Sequence, residues 1–189
     1  MTRTHGAGFT IVELIVTISI LVILTTIVVV RLSSTQADGR NHERSIDTET
    51  IATGLELYYD NGNASTFTPR GYYPGAIEVQ NAATLTPPFN EFLEGVSRIS
   101  LEAPNHTIDD SFGVDPNYDT AAAGTHTDND GSYSDAKALE LLTDAFPYLY
   151  QPLKRDNTFC ASYVDCVKFN LYYLEEGTNA VRKIRSKHQ

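Results

Sequence analysis

The sequence has few basic residues, few cysteines and no tryptophan. Lysine and arginine number 14 against 24 aspartates and glutamates, which gives a formal net charge of −10. That deficit argues against general binding to duplex DNA, because such binding needs a basic face. The two cysteines supply only two clustered ligands, whereas a structural zinc site takes about four. The eleven tyrosines supply much of the aromatic content instead, in a chain of 189 residues that suits one domain plus an anchor.

The usual catalytic motifs are also missing. The five histidines are scattered, and the chain contains no G-x-S-x-G, H-E-x-x-H or P-loop sequence. Hydrolytic and phosphoryl-transfer chemistry therefore lack their characteristic residues. We expect a protein that is not an enzyme and has no cofactor.

Proline is absent before Pro69, and glycine is absent between Gly8 and Gly39. Inside this stretch residues 9–30 are almost wholly apolar, and as a helix they would be roughly 33 Å long, close to the ~30 Å hydrocarbon core of a bilayer. A cleaved secretory signal has a shorter apolar part that is followed by small residues, whereas here the small residues precede the run. The pattern predicts a membrane-spanning helix over 9–30.

One acid, Glu13, lies within the apolar run. Ionisable residues inside membrane helices are costly and usually functional. Glu13 is also only four residues from Phe9, so its carboxylate could reach the lipid headgroups from the helix end. Position alone leaves both interpretations open, and a positive partner in the same apolar layer would favour the functional one.

The stretch Gly8-Phe9-Thr10-Ile11-Val12-Glu13-Leu14, with its apolar continuation, resembles the class III signal of type IV pilins and type II secretion pseudopilins. In that family a membrane prepilin peptidase cuts after the Gly of a short polar leader, and the new terminal Phe is usually N-methylated. The resemblance implies that residues 1–8 are the leader, that cleavage separates Gly8 from Phe9, and that Phe9 is methylated. It also implies that Glu13 pairs with the Phe9 amine of a neighbouring subunit.

The sequence departs from the family in one respect. Many bacterial pilins have a helix-breaking proline in the second half of the run, and this chain has none, so a melted, stretchable segment is not expected here. The leader is weakly basic, with Arg3 and His5, which suits a cytoplasmic N-terminus and an extracytoplasmic head.

The polar residues 31–45 are expected to continue the helix, because the preceding apolar part already provides the helix nucleus. Residues 46–58 then show a stripe of apolar residues at near-helical spacing, and Asn61-Gly62 is a stop signal. The family resemblance returns in Leu55 to Gly62 and in the later Tyr73-Pro74. We expect 31–60 to be the soluble half of the long helix and 61–189 to be a globular head. Tyr58 and Tyr59 are interpreted as core packing rather than as ligand contacts.

The head begins with a loop-rich stretch that contains short apolar patches at 76–85, 89–93 and 96–101, which could be brief helices or strands. Residues 134–145 are predicted to be helical, with Ser134 as N-cap. Strands are predicted at 147–153 and at 166–174, the second half-buried because it alternates apolar and polar residues. A turn at 175–179 leads to a hairpin partner at 180–185. With the resemblance, this predicts an α+β, pilin-like fold in which the long N-terminal helix packs against a C-terminal antiparallel sheet.

Two further groups of residues are candidate sites. Cys160 and Cys166 are expected to lie outside the membrane, where disulfides persist, so a small disulfide loop is favoured over a buried reduced pair. Many pilins also carry such a loop near the C-terminus. Asp128 and Asp130 lie in a sequence that resembles part of a calcium loop but lacks its other acids. We expect a solvated turn there, with calcium binding as the weaker alternative.

The resemblance implies a structural subunit of a type IV pilus-like filament, supporting adhesion, twitching motility or DNA uptake. Its implied partners are prepilin peptidase/methyltransferase, related pilin subunits, a membrane-platform protein, an assembly ATPase and, before assembly, membrane lipid; the final location is the cell surface. The alternatives are a type II secretion pseudopilin and a membrane-anchored adhesin or binding module that does not polymerise. The basic tail from Val181 to Gln189 is either a solvated end or a patch that contacts acidic neighbours or DNA.

Overall fold

The computed structural model describes residues 9–84, 92–101, 103–104, 112–115, 128, 130–144 and 147–188. This part of the chain is α+β, with a long N-terminal helix and a four-stranded mixed sheet. Its helices are α1 (Ile11–Asn61), α2 (Ala76–Thr84), α3 (Arg98–Leu101) and α4 (Asp135–Asp144), and its strands are β1 (Phe112–Val114), β2 (Tyr148–Leu153), β3 (Lys168–Leu174) and β4 (Val181–Arg185).

Helix α1 is the predicted long helix, and its observed bounds are within two residues of the predicted ones. The polar stretch after the apolar run is helical as expected. The helix ends because Gly62 adopts the left-handed conformation with φ +70°, and its N–H donates to the Tyr58 carbonyl at 2.9 Å. The chain divides into two compact units, Met1–Gly39 and Arg40–Gln189, and the second contains the sheet.

Three of the four strands form an antiparallel meander, β2–β3–β4, at the predicted positions. The C-terminal strands are therefore antiparallel as predicted, and the sheet as a whole is mixed. Strand β1 pairs in parallel with β2, with Phe112 opposite Tyr148 and Val114 opposite Tyr150. Because β1 has only three residues within a loop-rich region, it shows no alternation by which the sequence could reveal it.

Strand β3 was expected to be half-buried, and this is wrong, because both faces of the strand are covered. Phe169, Leu171 and Tyr173 lie in the core cluster that includes Ile51 and Leu55 of α1. The opposite face holds Tyr172, which packs in a second cluster with residues of α4. The alternation of β3 therefore separates two buried environments rather than core from solvent.

Polar residues of the second face are satisfied internally. Asn170 and Tyr172 both donate to the Oε1 atom of buried Gln151, at 2.9 and 2.7 Å. Gln151 in turn donates through Nε2 to the Gly131 carbonyl at 2.9 Å. The polar residues Asn170 and Tyr172 of β3 therefore face a buried hydrogen-bonded network rather than solvent.

The shorter helices lie where the sequence allowed them. The predicted N-cap of α4, Ser134, accepts a bond from the Lys137 N–H through its hydroxyl oxygen. The apolar patches that contain α2 and α3 are helical, which decides between the two forms that the sequence left open. Residues 89–91 of the remaining patch lie outside the described part of the chain.

Two acids on the buried face of α1 accept hydrogen bonds from tyrosines of the head. The Tyr148 hydroxyl donates to Asp47 at 3.1 Å, and the Tyr73 hydroxyl donates to Glu56 at 2.9 Å. Burial raises the pKa of Asp47, although the tyrosine bond opposes that rise. Tyrosine therefore supplies both the ring that fills the core and the donor that satisfies the helix carboxylates.

A cluster of polar contacts joins the start of the second unit's helix to the β3–β4 turn. Arg40 forms a bidentate pair with Glu176, in which Nε donates to Oε2 at 2.6 Å. Asn41 exchanges two bonds with the backbone of Glu176, at 3.1 and 2.7 Å. Arg44 donates to the Leu174 carbonyl at 3.1 Å. We call this cluster the arginine clamp; it fixes the turn against α1.

The first prediction compares two glycines of α1. A Cβ at Gly54 would lie 2.3 Å from Val96 Cγ2, whereas a Cβ at Gly39 would meet nothing within 4 Å. We expect Gly54→Ala to destabilise the head by about 1–3 kcal/mol, because the stiff, buried Val96 must move. Gly39→Ala is the matched control and should cause no loss, since alanine favours a helix by roughly 1 kcal/mol over glycine. Thermal unfolding of the full chain in detergent tests both, and equal midpoints would contradict the packing.

The second prediction concerns the arginine clamp and pH. The hydrogen bond from Arg40 holds the pKa of Glu176 below its ordinary value. The clamp therefore contributes stability above the unfolded-state pKa of about 4.3, and this contribution is lost as the pH falls through the folded-state value. Glu176→Gln should lower the melting temperature at pH 7 and weaken its decline on acidification below about pH 4.5. Glu49→Gln, an exposed acid of α1 outside the clamp, should follow the wild-type curve.

Candidate functional site

The apolar part of α1 has almost no protein neighbours. Its window Ile11–Val28 has a mean hydropathy of 2.7 and is 0% buried within the chain. This helix is long and apolar enough to cross a membrane. Its large apolar side chains are each at least 50% exposed: Ile11, Val12, Leu14, Ile15, Val16, Ile18, Ile20, Leu21, Val22, Ile23, Leu24, Ile27 and Val28.

The hydroxyl groups of this segment are all satisfied by its own backbone. Thr17 donates to Leu14, Ser19 to Ile15, Thr25 to Leu21 and Thr26 to Ile23, at 2.7 to 2.8 Å in each case. A lipid environment requires this, because it offers no water to a polar group. Thr25 and Thr26, the two adjacent polar residues in the apolar run, therefore do not interrupt the helix.

Glu13 and Thr10 form a reciprocal cap at the first turn of α1. The Thr10 backbone N–H and hydroxyl both donate to Glu13 Oε2, at 3.0 and 2.9 Å. The Glu13 N–H donates in return to the Thr10 hydroxyl oxygen at 3.2 Å. This is a capping box, which satisfies backbone donors that the helix start leaves without partners. The carboxylate also lies at the positive end of the helix dipole.

Sequence reasoning missed this second role of Glu13, although the signal was present. A Thr followed three residues later by Glu, immediately before an apolar run, is the capping-box pattern. The two oxygens of the carboxylate differ as a result. Oε2 carries both bonds from Thr10, and within the described residues Oε1 accepts none. Phe9 is 81% exposed beside this cap, and Gly8 lies outside the described residues.

The cysteines form the predicted disulfide, Cys160–Cys166, and both are fully buried. The loop that they close packs on the chain near the predicted Tyr-Pro pair: Tyr73 N–H donates to the Cys166 carbonyl at 2.8 Å. A Cβ at Gly75 would lie 2.6 Å from Ser162, so only glycine fits against this loop. The bridge thus stabilises the head beneath α2.

The calcium candidates differ in their surroundings. Asp130 accepts a bond from the Ser132 N–H at 3.0 Å, forms an ion pair with Arg185, and has Lys183 at 4.0 Å. The Ser132 N–H is the main cause of the lowered pKa of Asp130. Asp128 is exposed, and no group of three or more His, Cys, Asp or Glu residues that could hold a metal occurs in the described part of the chain. The negative charge of Asp130, which a calcium ion would need, therefore already has two cations beside it.

The tyrosine pair and the tail are both bound to the fold. Tyr58 is buried against Phe92, with ring centroids 5.4 Å apart, which confirms core packing. Tyr59 is partly buried and stacks on His188 with centroids 4.2 Å apart. The backbone of the tail is part of the fold, because its β4 segment is in the sheet and the Lys187 N–H donates to buried Glu56 at 2.8 Å. Its basic side chains, Arg182, Lys183, Arg185 and Lys187, are exposed.

No protein-family model, curated protein or solved structure matches the chain. Functional inference therefore depends on the chain's own residues. The features that require a functional account are an apolar helix that its own chain leaves uncovered and a carboxylate at its first turn with one oxygen unused by the described residues.

Proposed function

We propose that this chain is a structural subunit of a type IV pilus-like filament, cleaved between Gly8 and Phe9 and assembled from the membrane. The observation that carries the proposal is the apolar segment of α1, which is wholly unburied within its own chain. Apolar surface of this extent requires lipid or other apolar helices around it. Lipid surrounds it before assembly, and the same segment of other copies surrounds it afterwards.

Glu13 gives this assembly its register. Cleavage before Phe9 creates an α-amine one turn from the carboxylate, and that amine carries a positive charge that is costly in an apolar layer. The unused Oε1 of a neighbour's Glu13 accepts it, while Oε2 continues to bind Thr10. A subunit at the wrong height leaves amine and carboxylate unpaired, and the low dielectric makes that error expensive.

The remaining partners follow from the resemblance of the first turn and its leader to prepilin signals. A prepilin peptidase/methyltransferase processes the chain, and a membrane platform with an ATPase moves it out of the bilayer. The head then lies on the filament surface. Head-to-tail contacts between identical subunits do not close, so they produce a filament rather than a ring.

The third prediction concerns the mature N-terminus. We expect mass spectrometry of chain purified from its native membrane to find N-methylated Phe9 as the first residue. Gly8→Trp should accumulate as precursor, because the peptidase must bind the backbone closely at this glycine and a bulky side chain prevents that approach. A mature wild-type chain that still begins at Met1 would contradict the proposed function.

The fourth prediction separates the two roles of Glu13. Glu13→Gln retains the capping hydrogen bonds, since Gln also completes a capping box, but it removes the charge. Thr10→Val removes the two capping bonds made by the hydroxyl, leaves the bond from the backbone N–H, and keeps the charge of Glu13. If Oε1 pairs with the neighbour's amine, Glu13→Gln chains should insert and be cleaved but form few filaments, while Thr10→Val chains should assemble with only a modest loss. Filaments are counted by electron microscopy with antibody to the head.

The reverse result would assign Glu13 to capping alone: normal filament numbers with Glu13→Gln and a large loss with Thr10→Val. Glu13→Ala, which removes both functions, should be at least as defective as the worse of the two. Membrane-inserted chain, measured by fractionation, serves as the control for insertion in every variant.

A further inference from the structure

A cleft of about 600 Å³ on the head is lined by basic and aromatic residues, in a chain whose net charge is −10. Its lining includes the side chains of two arginines, one lysine and one histidine, and no acid among the described residues that line it. We call it the basic cleft. The residues used below are Tyr59, Arg70, Tyr72, Arg155, Lys168 and His188.

The cations of the basic cleft lack acidic partners among the described residues. Arg155 is exposed, and its guanidinium makes no hydrogen bond or ion pair with that part of the chain, while Arg70 has only a long bond of 3.4 Å to the Asn61 carbonyl. Lys168 is held in place by Asn157 Oδ1 at 2.8 Å and by the Arg155 carbonyl at 3.2 Å. These neutral acceptors orient the ammonium group without cancelling its charge.

Two arginines of β4, by contrast, have acidic partners. Arg182 pairs with Glu175 at 2.8 Å, and Arg185 pairs with Asp130. Glu56 is a buried carboxylate 3.7 Å from His188 Nε2 that already accepts two other hydrogen bonds. Asp156 and Asp165 line a neighbouring cavity with Arg155, but neither carboxylate forms an ion pair with Arg155, Arg70 or Lys168 in the described part of the chain. The uncompensated positive charge therefore concentrates at Arg70, Arg155 and Lys168.

A complementary surface lies on the exposed face of α1. Residues at spacings of three and four form it, so they lie along one side of the helix. Glu49 and Asp60 are exposed there, and neither carboxylate makes an ion pair with the described residues. Ile46 and Leu57 add apolar area, at 51% and 39% exposed. This outer stripe comprises His42, Ile46, Glu49, Thr53, Leu57 and Asp60.

We infer that the basic cleft of one copy binds the outer stripe of a second copy, with the Glu49 carboxylate between Arg155 and Lys168. This inference rests on the proposed function, which brings many copies together. Tyr59 lines the cleft, and Glu49 lies ten residues earlier on the same helix, about 15 Å away at ~1.5 Å per residue. A rigid helix keeps that acid out of its own cleft, so a contact between Glu49 and the cleft requires a second copy. The two surfaces differ, and the contact repeats without closing.

A second copy suits the basic cleft better than a nucleic acid does. Nucleic-acid binding uses a run of unpaired cations along an extended surface. Here the cations Arg182 and Arg185 of β4, which would extend such a surface, are paired with acids. The outer stripe instead offers isolated acids with apolar residues between them, and the aromatic rings of Tyr59 and Tyr72 in the cleft match that combination.

Zero-length carbodiimide cross-linking tests the contact directly. Full-length chains labelled with light and heavy nitrogen are assembled together, cross-linked and digested. We expect a Lys168–Glu49 peptide that contains one light and one heavy half, which only two different copies can form. Arg155→Glu should reduce its yield about tenfold, as expected for a loss of about 1.4 kcal/mol.

Charge exchange provides the second arm, with filament yield as the readout. Arg155→Glu and Glu49→Arg should each impair assembly, and the double variant Arg155→Glu/Glu49→Arg should restore it to near wild type. Glu94→Arg reverses an exposed acid outside the stripe and should have no effect. Normal cleavage at Phe9 and an intact disulfide in every variant show that processing and folding are unchanged.

Three results would overturn the inference: no mixed-label Lys168–Glu49 peptide in assembled wild-type chain, normal assembly of both single variants, or a double variant no better than the single ones. Binding of a single-stranded oligonucleotide that Arg155→Glu abolishes, with assembly unchanged, would assign the basic cleft to DNA instead. A chain that is cleaved and polymerises without the cross-link refutes only this contact. A chain that keeps Met1 refutes the proposed function.

Discussion

The requirement that polar groups in an apolar environment find partners within their own helix governs the first part of this protein. The segment Ile11–Val28 has no covering side chains from the rest of the described chain. Its serine and threonine hydroxyls bond to backbone carbonyls one turn back, and its first turn is closed by the Thr10–Glu13 capping box. The segment contains no proline or glycine, and this fits the same requirement. Either residue would expose backbone groups that an apolar environment cannot satisfy.

The head solves a different problem, which is to bury one side of a helix that also carries acids. Asp47 and Glu56 face the interior of the second unit, and tyrosine hydroxyls meet both. A phenylalanine in either tyrosine position would remove one of the donors that reach each buried carboxylate, which weakens its compensation for burial. Tyrosine can thus fill the core and satisfy the helix at once. The arginine clamp and the Cys160–Cys166 bridge hold the turn and loop that border this interior.

Sequence patterns sufficed for the elements whose signal is local. The length and purity of the apolar run indicated α1, alternation indicated β3, and the closeness of two cysteines in a region expected to be extracytoplasmic indicated their bridge. Strand β1 could not be predicted because three residues cannot display a period. The burial of Asn170 could not be predicted because its partners, Ser132 and Gln151, come from elsewhere in the chain. The pairing of Arg40 with Glu176 joins residues 136 positions apart, which no local pattern encodes.

At the candidate site, the role of Glu13 in its own chain could be predicted from the Thr-x-x-Glu motif. A partner of Glu13 in another copy cannot be predicted from the pattern of one chain.

The two oxygens of Glu13 have different partners in the proposed function, and this difference affects the stability of the subunit before assembly. A carboxylate whose only partner appeared after proteolysis would be a burden to the precursor until it was cut. Under the proposed function, the bonds from Thr10 to Oε2 are present before cleavage as well as after it, so the helix end is similarly satisfied in both forms of the chain. The subunit would then be stable in storage before it is cut. Assembly would begin when the enzyme creates the amine, and not because the stored form is unstable.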